Sequence, residues 1–400
     1  MKEFFKFFIF LILLCLAHFD GIAQKITFEL NKFILLDVKI NNNYKAKFIF
    51  DSGSPMLVIN SEFASKNSLE PKEVGKFTAV GIGENNSSET DFVVKNILVC
   101  ANSLCANVRA FMIVNLNKFI MRNKADGIIG NYLFKNKIFH IDFDNQCFEV
   151  IDGKNINYND YTPLTIYKER ENFVIPIKIK IKEKYIEGNM YFDTGNAGRT
   201  GVYTKNAEES GLTDLEPVLE YESFNAGLAG GKSSSNYLYA DEITIANYSL
   251  DSFLIRCSKD KAGALHSINL PKHLPSSIGL LGLDFIKKFN WIIDIKNSKC
   301  YIKPSNNFNI KDKNSSYNLV FKYDDQNHCT VSRIIKIAGE KYGVSIGDTI
   351  LHAGKLFGMP VMPVPISDIA FNPDSYIETP LLITVKNKGN AVITIKKVDY

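Results

Sequence analysis

One long self-similarity dominates the chain. The segment "ADGIIGNYLFKNKIFHIDFDNQCFEVI" (Ala125–Ile151) aligns without a gap to "SIGLLGLDFIKKFNWIIDIKNSKCYIK" (Ser277–Lys303). Gly127 and Gly130 fall on Gly279 and Gly282, and Asp142 falls on Asp294. Each copy reads as an apolar strand, a glycine turn, a short helix and a hairpin closed by "DNQ" or "KNS". Upstream of each copy stands a second matching unit, "FILLDVKINNNYKAKFIFDSGS" and "FVIPIKIKIKEKYIEGNMYFDTGN". Alternating apolar residues, a polar turn and a second strand make each a β-hairpin with an acid at its end. A repeat of this length predicts two β-rich lobes of similar plan. The expected fold class is all-β, with lobes over residues 24–153 and 154–306.

The text outside the repeat reads differently. After Pro304 the stretch "SNNFNIKDKNSS" is polar and linker-like. Residues 315–400 then read as strand, short helix, glycine turn, strand and closing hairpin, a small separate α+β domain. At the other end, "MKEFFK" precedes the apolar run Phe7–Ala17, which is too short to span a bilayer comfortably. The small residues of "GIA" follow. Residues 1–23 read as a signal peptide cut after Ala23, and the competing reading is an uncleaved anchor. Leu14 is too bulky for lipoprotein processing at Cys15. The expectation is an exported protein, periplasmic or extracellular.

Export gives the remaining six cysteines a disulfide-permissive setting. "CANSLC" could place Cys100 and Cys105 across a hairpin turn, and Cys257 and Cys300 are candidate partners in the second half, with the pairing of the six left open. Cys147 and Cys329 have no assigned role. No spacing resembles a zinc site, so neither metal nor other cofactor is expected. The net charge of +4, spread without blocks, argues against a nucleic-acid partner. "AGLAGGKS" nearly spells a phosphate loop, but "SSNYLYADEITI" after it reads as strand, and such a loop needs a helix N-terminus there.

The chemistry concentrates in "FIFDSGSP" (48–55) and "MYFDTGNA" (190–197). One Asp-Ser-Gly is an ordinary turn. Two, at matching places in two lobes, are a pattern. Gly53 and Gly195 let the backbone turn sharply behind each acid. Facing lobes would bring Asp51 and Asp193 together, and two close carboxyls share one proton. The ionised member takes a proton from water while its protonated partner donates to a carbonyl. There is no HExxH and no G-x-S-x-G elbow, and the six histidines sit in unrelated contexts.

On these motifs, together with "GIIG" and "GLLG", the chain resembles the aspartic proteases. The plan looks like pepsin's two lobes, built at the smaller size of a retroviral protease monomer. The resemblance covers roughly Lys25–Lys303. It implies a polypeptide substrate, catalytic Asp51 and Asp193, and a monomer in which Ser52 and Thr194 hydroxyls brace the active-site turns. It also implies a flap at Gly81, Ile82 and Gly83. Three features depart from the pepsin branch: no flap tyrosine, no room for an inhibitory prosegment, and Asn196 where a small hydroxyl residue is usual. In the tail, "KYGVSIGDTIL" (Lys341–Leu351) and "LLITVKNKGNAVITIKK" resemble a PDZ domain, which implies either a peptide ligand or a degenerate module packed on the lobes. The rival function is a catalytically silent peptide-binding protein.

Overall fold

The computed structural model describes residues 24–69, 75–80, 87–116, 125–151, 158–169, 172–197, 199–224, 231–263, 265–266, 276–311, 315–324, 326–337, 340–355, 362–371 and 373–399. Residues 1–23 and Gly81, Ile82 and Gly83 lie outside them, and so do Gly227–Gly230 of the near phosphate loop. The fold is all-β. Repeat one contains β1 (Gln24–Thr27), β2 (Glu29–Leu30), β3 (Ile34–Ile40), β4 (Tyr44–Phe50), β5 (Leu57–Asn60), α1 (Ser61–Lys66), β6 (Gly75–Val80), β7 (Ser87–Ala101), β8 (Leu104–Val114), β9 (Gly127–Ile129), a 3-10 turn (Asn131–Phe134), β10 (Ile138–Asp142) and β11 (Cys147–Ile151). Repeat two contains β12 (Thr162–Thr165), β13 (Tyr167–Glu169), β14 (Asn172–Ile181), β15 (Lys184–Phe192), β16 (Gly201–Val202), α2 (Thr204–Glu209), β17 (Leu219–Phe224), β18 (Lys232–Ile245), β19 (Tyr248–Ser258), β20 (Ser277–Leu281), α3 (Leu283–Ile286), β21 (Phe289–Asp294) and β22 (Lys299–Pro304). The tail contains β23 (Ser315–Tyr317), β24 (Leu319–Tyr323), β25 (Cys329–Ile337), β26 (Ile350–Lys355), β27 (Met362–Pro363), α4 (Ile366–Phe371), β28 (Pro380–Val385), β29 (Gly389–Thr394) and β30 (Lys397–Asp399).

The two repeats build the same sheet. Repeat one is ordered β2-β3-β4-β9-β5-β8-β7-β6, and repeat two β13-β14-β15-β20-β16-β19-β18-β17. The hairpins follow from alternation: "ILLDVKI" in β3 buries Ile34, Leu36, Val38 and Ile40 beneath the sheet. Asn41 and Asn42 make the turn at φ 49° and 62°, a region asparagine tolerates better than most residues. The strand β18 occupies the place where a phosphate loop would need a helix.

The phenylalanine before each acid is a core anchor. Phe50 lies 4.8 Å from Phe148 and 5.7 Å from Phe134, and Phe134 stacks on Phe139 at 4.3 Å. Phe192 lies 4.8 Å from Phe173 and 4.9 Å from Trp291. Each of these rings is essentially inaccessible. Burying one is worth about 1.5–3 kcal/mol, so both strand ends are held firmly where the acids emerge.

A third sheet, β1-β11-β10-β21-β22-β12, joins the repeats along the β10–β21 seam. In that antiparallel pair His140 sits opposite Ile292, its own counterpart in the repeat. The Nε2 of His140 is 2.8 Å from the Tyr161 hydroxyl, and burial holds its pKa below the ordinary value.

The tail has its own core around Leu319, Val331, Ala353, Leu381 and Ile395. It also extends the sheet of repeat two, because β25 pairs antiparallel with β17 while β24 covers its other edge. Leu219, Tyr237, Leu254, Ile335 and Val398 pack together across that junction. A bridge joins Cys100 and Cys105, which pair directly in the β7–β8 hairpin. The candidate Cys257–Cys300 pairing is not made: both are buried free thiols. Cys257 lies on β19 beside Val202, whereas Cys300 lies opposite Ile293 in the seam sheet. Cys147 and Cys329 are also free.

Candidate active site

The acids stand where two strands of each repeat end side by side. β4 runs parallel to β9 and β15 runs parallel to β20. The Asp51 N–H donates to the Ile129 carbonyl at 2.9 Å, and the Asp193 N–H to the Leu281 carbonyl at 3.1 Å. The apolar residues before Gly130 and Gly282 thus hold the backbone of the acids. Glycine is required next to them, since a Cβ on Gly130 would lie 2.3 Å from the Ser54 carbonyl.

Behind each acid the chain turns back on it. Asp51 Oδ1 accepts the Gly53 N–H at 2.8 Å. Asp193 Oδ1 accepts the Gly195 and Asn196 N–H groups at 3.0 and 3.1 Å. The Asn196 side chain points elsewhere, its Nδ2 donating to the Arg199 carbonyl at 3.3 Å. The donor to Asp193 is therefore the backbone of this residue.

The turns lock across the repeats. Ser52 N–H donates to Thr194 Oγ1, and Thr194 N–H to Ser52 Oγ, both at 2.9 Å. Each hydroxyl then donates past its partner's turn: Ser52 Oγ to the Phe192 carbonyl at 2.9 Å, and Thr194 Oγ1 to the Phe50 carbonyl at 3.0 Å. Both side chains are fully buried. No donor or acceptor in this crossed set is wasted, which a buried polar contact needs.

The structure thus brings Asp51, Ser52, Gly53, Asp193, Thr194 and Gly195 into one place. The two carboxyls are half-buried and close enough for each to shift the other's titration. Each lies against the other repeat's glycine. A Cβ on Gly195 would meet Asp51 Cγ at 2.2 Å, and one on Gly53 would meet Asp193 Oδ1 at 2.7 Å. Burial raises the Asp51 pKa. Burial, followed by the charge of Asp51, raises that of Asp193 well above the carboxylate range. The pair keeps a proton that two separate aspartates would lose.

Supporting residues that the motifs did not reveal differ between repeats. In repeat one, Asn131 Nδ2 donates to the Ser52 carbonyl at 3.2 Å. In repeat two, buried Asp284 accepts the Thr200 hydroxyl at 2.8 Å, and Thr200 Oγ1 accepts the Gly282 N–H at 3.0 Å. Arg199 Nη1 stands 3.8 Å from Asp284, while burial raises the Asp284 pKa despite it. Tyr132, which aligns with Asp284, has a buried hydroxyl without a hydrogen bond. Alignment of the repeats hides these residues, because each repeat solves the same support problem with different side chains.

Residues 36–133 match the family model for aspartyl proteases. That stretch runs from β3 through the first acid to the turn after Gly130. The match supports a protease-like hydrolytic activity. No curated protein matches the chain.

Proposed function

We propose that the protein is an exported aspartic endopeptidase. The observation that carries this reading is the Asp51–Asp193 pair, each carboxyl set against the other repeat's turn glycine and the two turns held by the crossed Ser52 and Thr194 hydrogen bonds. A pair that retains one proton has an acid and a base ready together. The ionised carboxylate takes a proton from a water held between the two groups. The resulting hydroxide attacks the scissile carbonyl, whose oxygen receives a proton from the other carboxyl. The tetrahedral species collapses as its C–N bond breaks and the amine nitrogen takes up a proton. The chemistry needs no cofactor and no covalent enzyme intermediate.

A single chain carries both acids, so a monomer suffices. In this reading the flap role falls to Gly81, Ile82 and Gly83, which follow β6 in the sequence. Export rests on the sequence of residues 1–23. A silent peptide-binding protein is disfavoured, because both acids are present and β25 has neighbours on both edges. A peptide adding to β25 would have to displace β17.

The test is cleavage of a peptide library by the full-length protein and by Asp51→Asn and Asp193→Asn, with and without pepstatin. Each substitution should lower turnover by about 1,000-fold or more. Equal turnover by all three proteins would refute the assignment.

A further inference from the structure

The same-face rows beside the two acids carry different chemistry. Side chains alternate along a strand, so Ile49 shares a face with Asp51, and Tyr191 with Asp193. From Ile49 the register crosses repeat one through Ile128, Val58 and Met112 to Phe92. From Tyr191 it crosses repeat two through Leu280, Gly201 and Arg256 to Tyr237. The rows correspond position by position. Val58 becomes Gly201, and Met112 becomes Arg256.

The two changes are linked. A Cβ on Gly201 would lie 3.1 Å from both Cβ and Nε of Arg256. The glycine leaves the space that the arginine side chain crosses. Arg256 is half-buried, and its Nε is buried without a hydrogen-bond partner. Arg199, in the same repeat, instead stands beside Asp284. Only Nε is sealed in, so an acceptor arriving from outside would be met by the terminal nitrogens of this half-buried guanidinium, which have no protein acceptor of their own among the described residues. Arg256 reaches over Gly201 along the same row that ends at Tyr191, two residues before Asp193, so the cation lies on the face of the sheet that carries the acid.

We propose that Arg256 forms an anionic subsite beside Asp193, which receives a carboxylate side chain of the polypeptide substrate. The corresponding position on repeat one, Met112, favours an apolar side chain. The substrate class is therefore peptides with an aspartate or glutamate on one side of the scissile bond and an apolar residue on the other. This rests on the protease reading. It adds to that reading a cleft with two unlike walls.

The experiment uses the full-length protein and peptide pairs that differ only by Glu or Gln at each position flanking the cleaved bond. At one position, Glu should exceed Gln by roughly 10- to 100-fold in kcat/KM, the worth of a hydrogen bond to a charged group. Arg256→Met, which restores the repeat-one residue, should bring that ratio to about one. Arg256→Lys should keep part of it. Circular dichroism establishes that both variants are folded. A ratio near one at every position in the wild type, or an unchanged ratio in Arg256→Met, overturns the subsite.

Fluorescence anisotropy of the same peptides on Asp193→Asn separates this proposal from the catalytic one. A Glu preference in binding that Arg256→Met removes supports the subsite even if nothing is cleaved. Binding without that preference overturns it even if peptides are cleaved, and absence of both binding and cleavage overturns both readings.

Discussion

Ser52 and Thr194 each accept the other's backbone N–H at 2.9 Å. Each hydroxyl also donates to a carbonyl of the opposite repeat, so the loss of one hydroxyl breaks two buried hydrogen bonds. Thr194→Ala should destabilise the protein by about 2–4 kcal/mol, one to two per orphaned group. Thr194→Ser keeps the hydroxyl and should recover most of the loss. Thermal or urea unfolding of the three proteins checks this. Equal stability of the alanine and serine variants would contradict it.

The carboxyl of Asp51 lies where a Gly195 side chain would be. A Cβ there would sit 2.2 Å from Asp51 Cγ, so Gly195→Ala must push one acid away from the other. Displacing a reacting group by about 1 Å costs on the order of 100-fold. Gly195→Ala is therefore expected to lose peptide cleavage by at least that factor while keeping its circular dichroism spectrum. Full activity would show that the carboxyls need not touch.

Both acids have pKa values raised by burial. A carboxyl with a raised folded pKa favours folding while protonated. That contribution is lost as pH rises from the ordinary 3.8 toward the folded value. The Tm of the wild type should fall relative to that of Asp193→Asn across this window. Catalysis needs the singly protonated pair, so the alkaline limb of kcat/KM should lie above the usual carboxylate range. Parallel Tm curves for the two proteins would remove the basis for the shift.

Ile335 is fully buried at the junction of the tail with repeat two, opposite Tyr221 on β17. Ile335→Ala should cost about 2–5 kcal/mol. Because β17 leans on β25 along its outer edge, amide exchange in β17 should quicken in the variant. No change in exchange at Leu219–Ser223 would mean that the tail does not steady this strand.

Much of the site was legible because it is written twice. Phe50 and Phe192 fix the strand ends, Gly130 and Gly282 admit the turns, and the acids follow from their positions. Cys100 and Cys105 were readable for a similar local reason, a hairpin between them. What sequence did not reveal depends on sheet order. Cys257 and Cys300 belong to different sheets, which their spacing conceals. The tail reads as separate because nothing in "CTVSRIIKI" says that one of its edges meets β17. Arg256 looks like one charged residue in an ordinary strand until register sets it opposite Gly201.

The seam at His140 and Ile292 has a further consequence. These two are counterparts in the repeat, and the pairs on either side are related by exchange of the repeats, as about the axis between two identical subunits. In a true dimer, the fraction of assembled sites falls when the protein is diluted. Here a covalent tether replaces that association step, so the meeting of Asp51 with Asp193 is a first-order event. Specific activity should be the same at nanomolar and micromolar protein, and a fall on dilution would show that a second copy is needed.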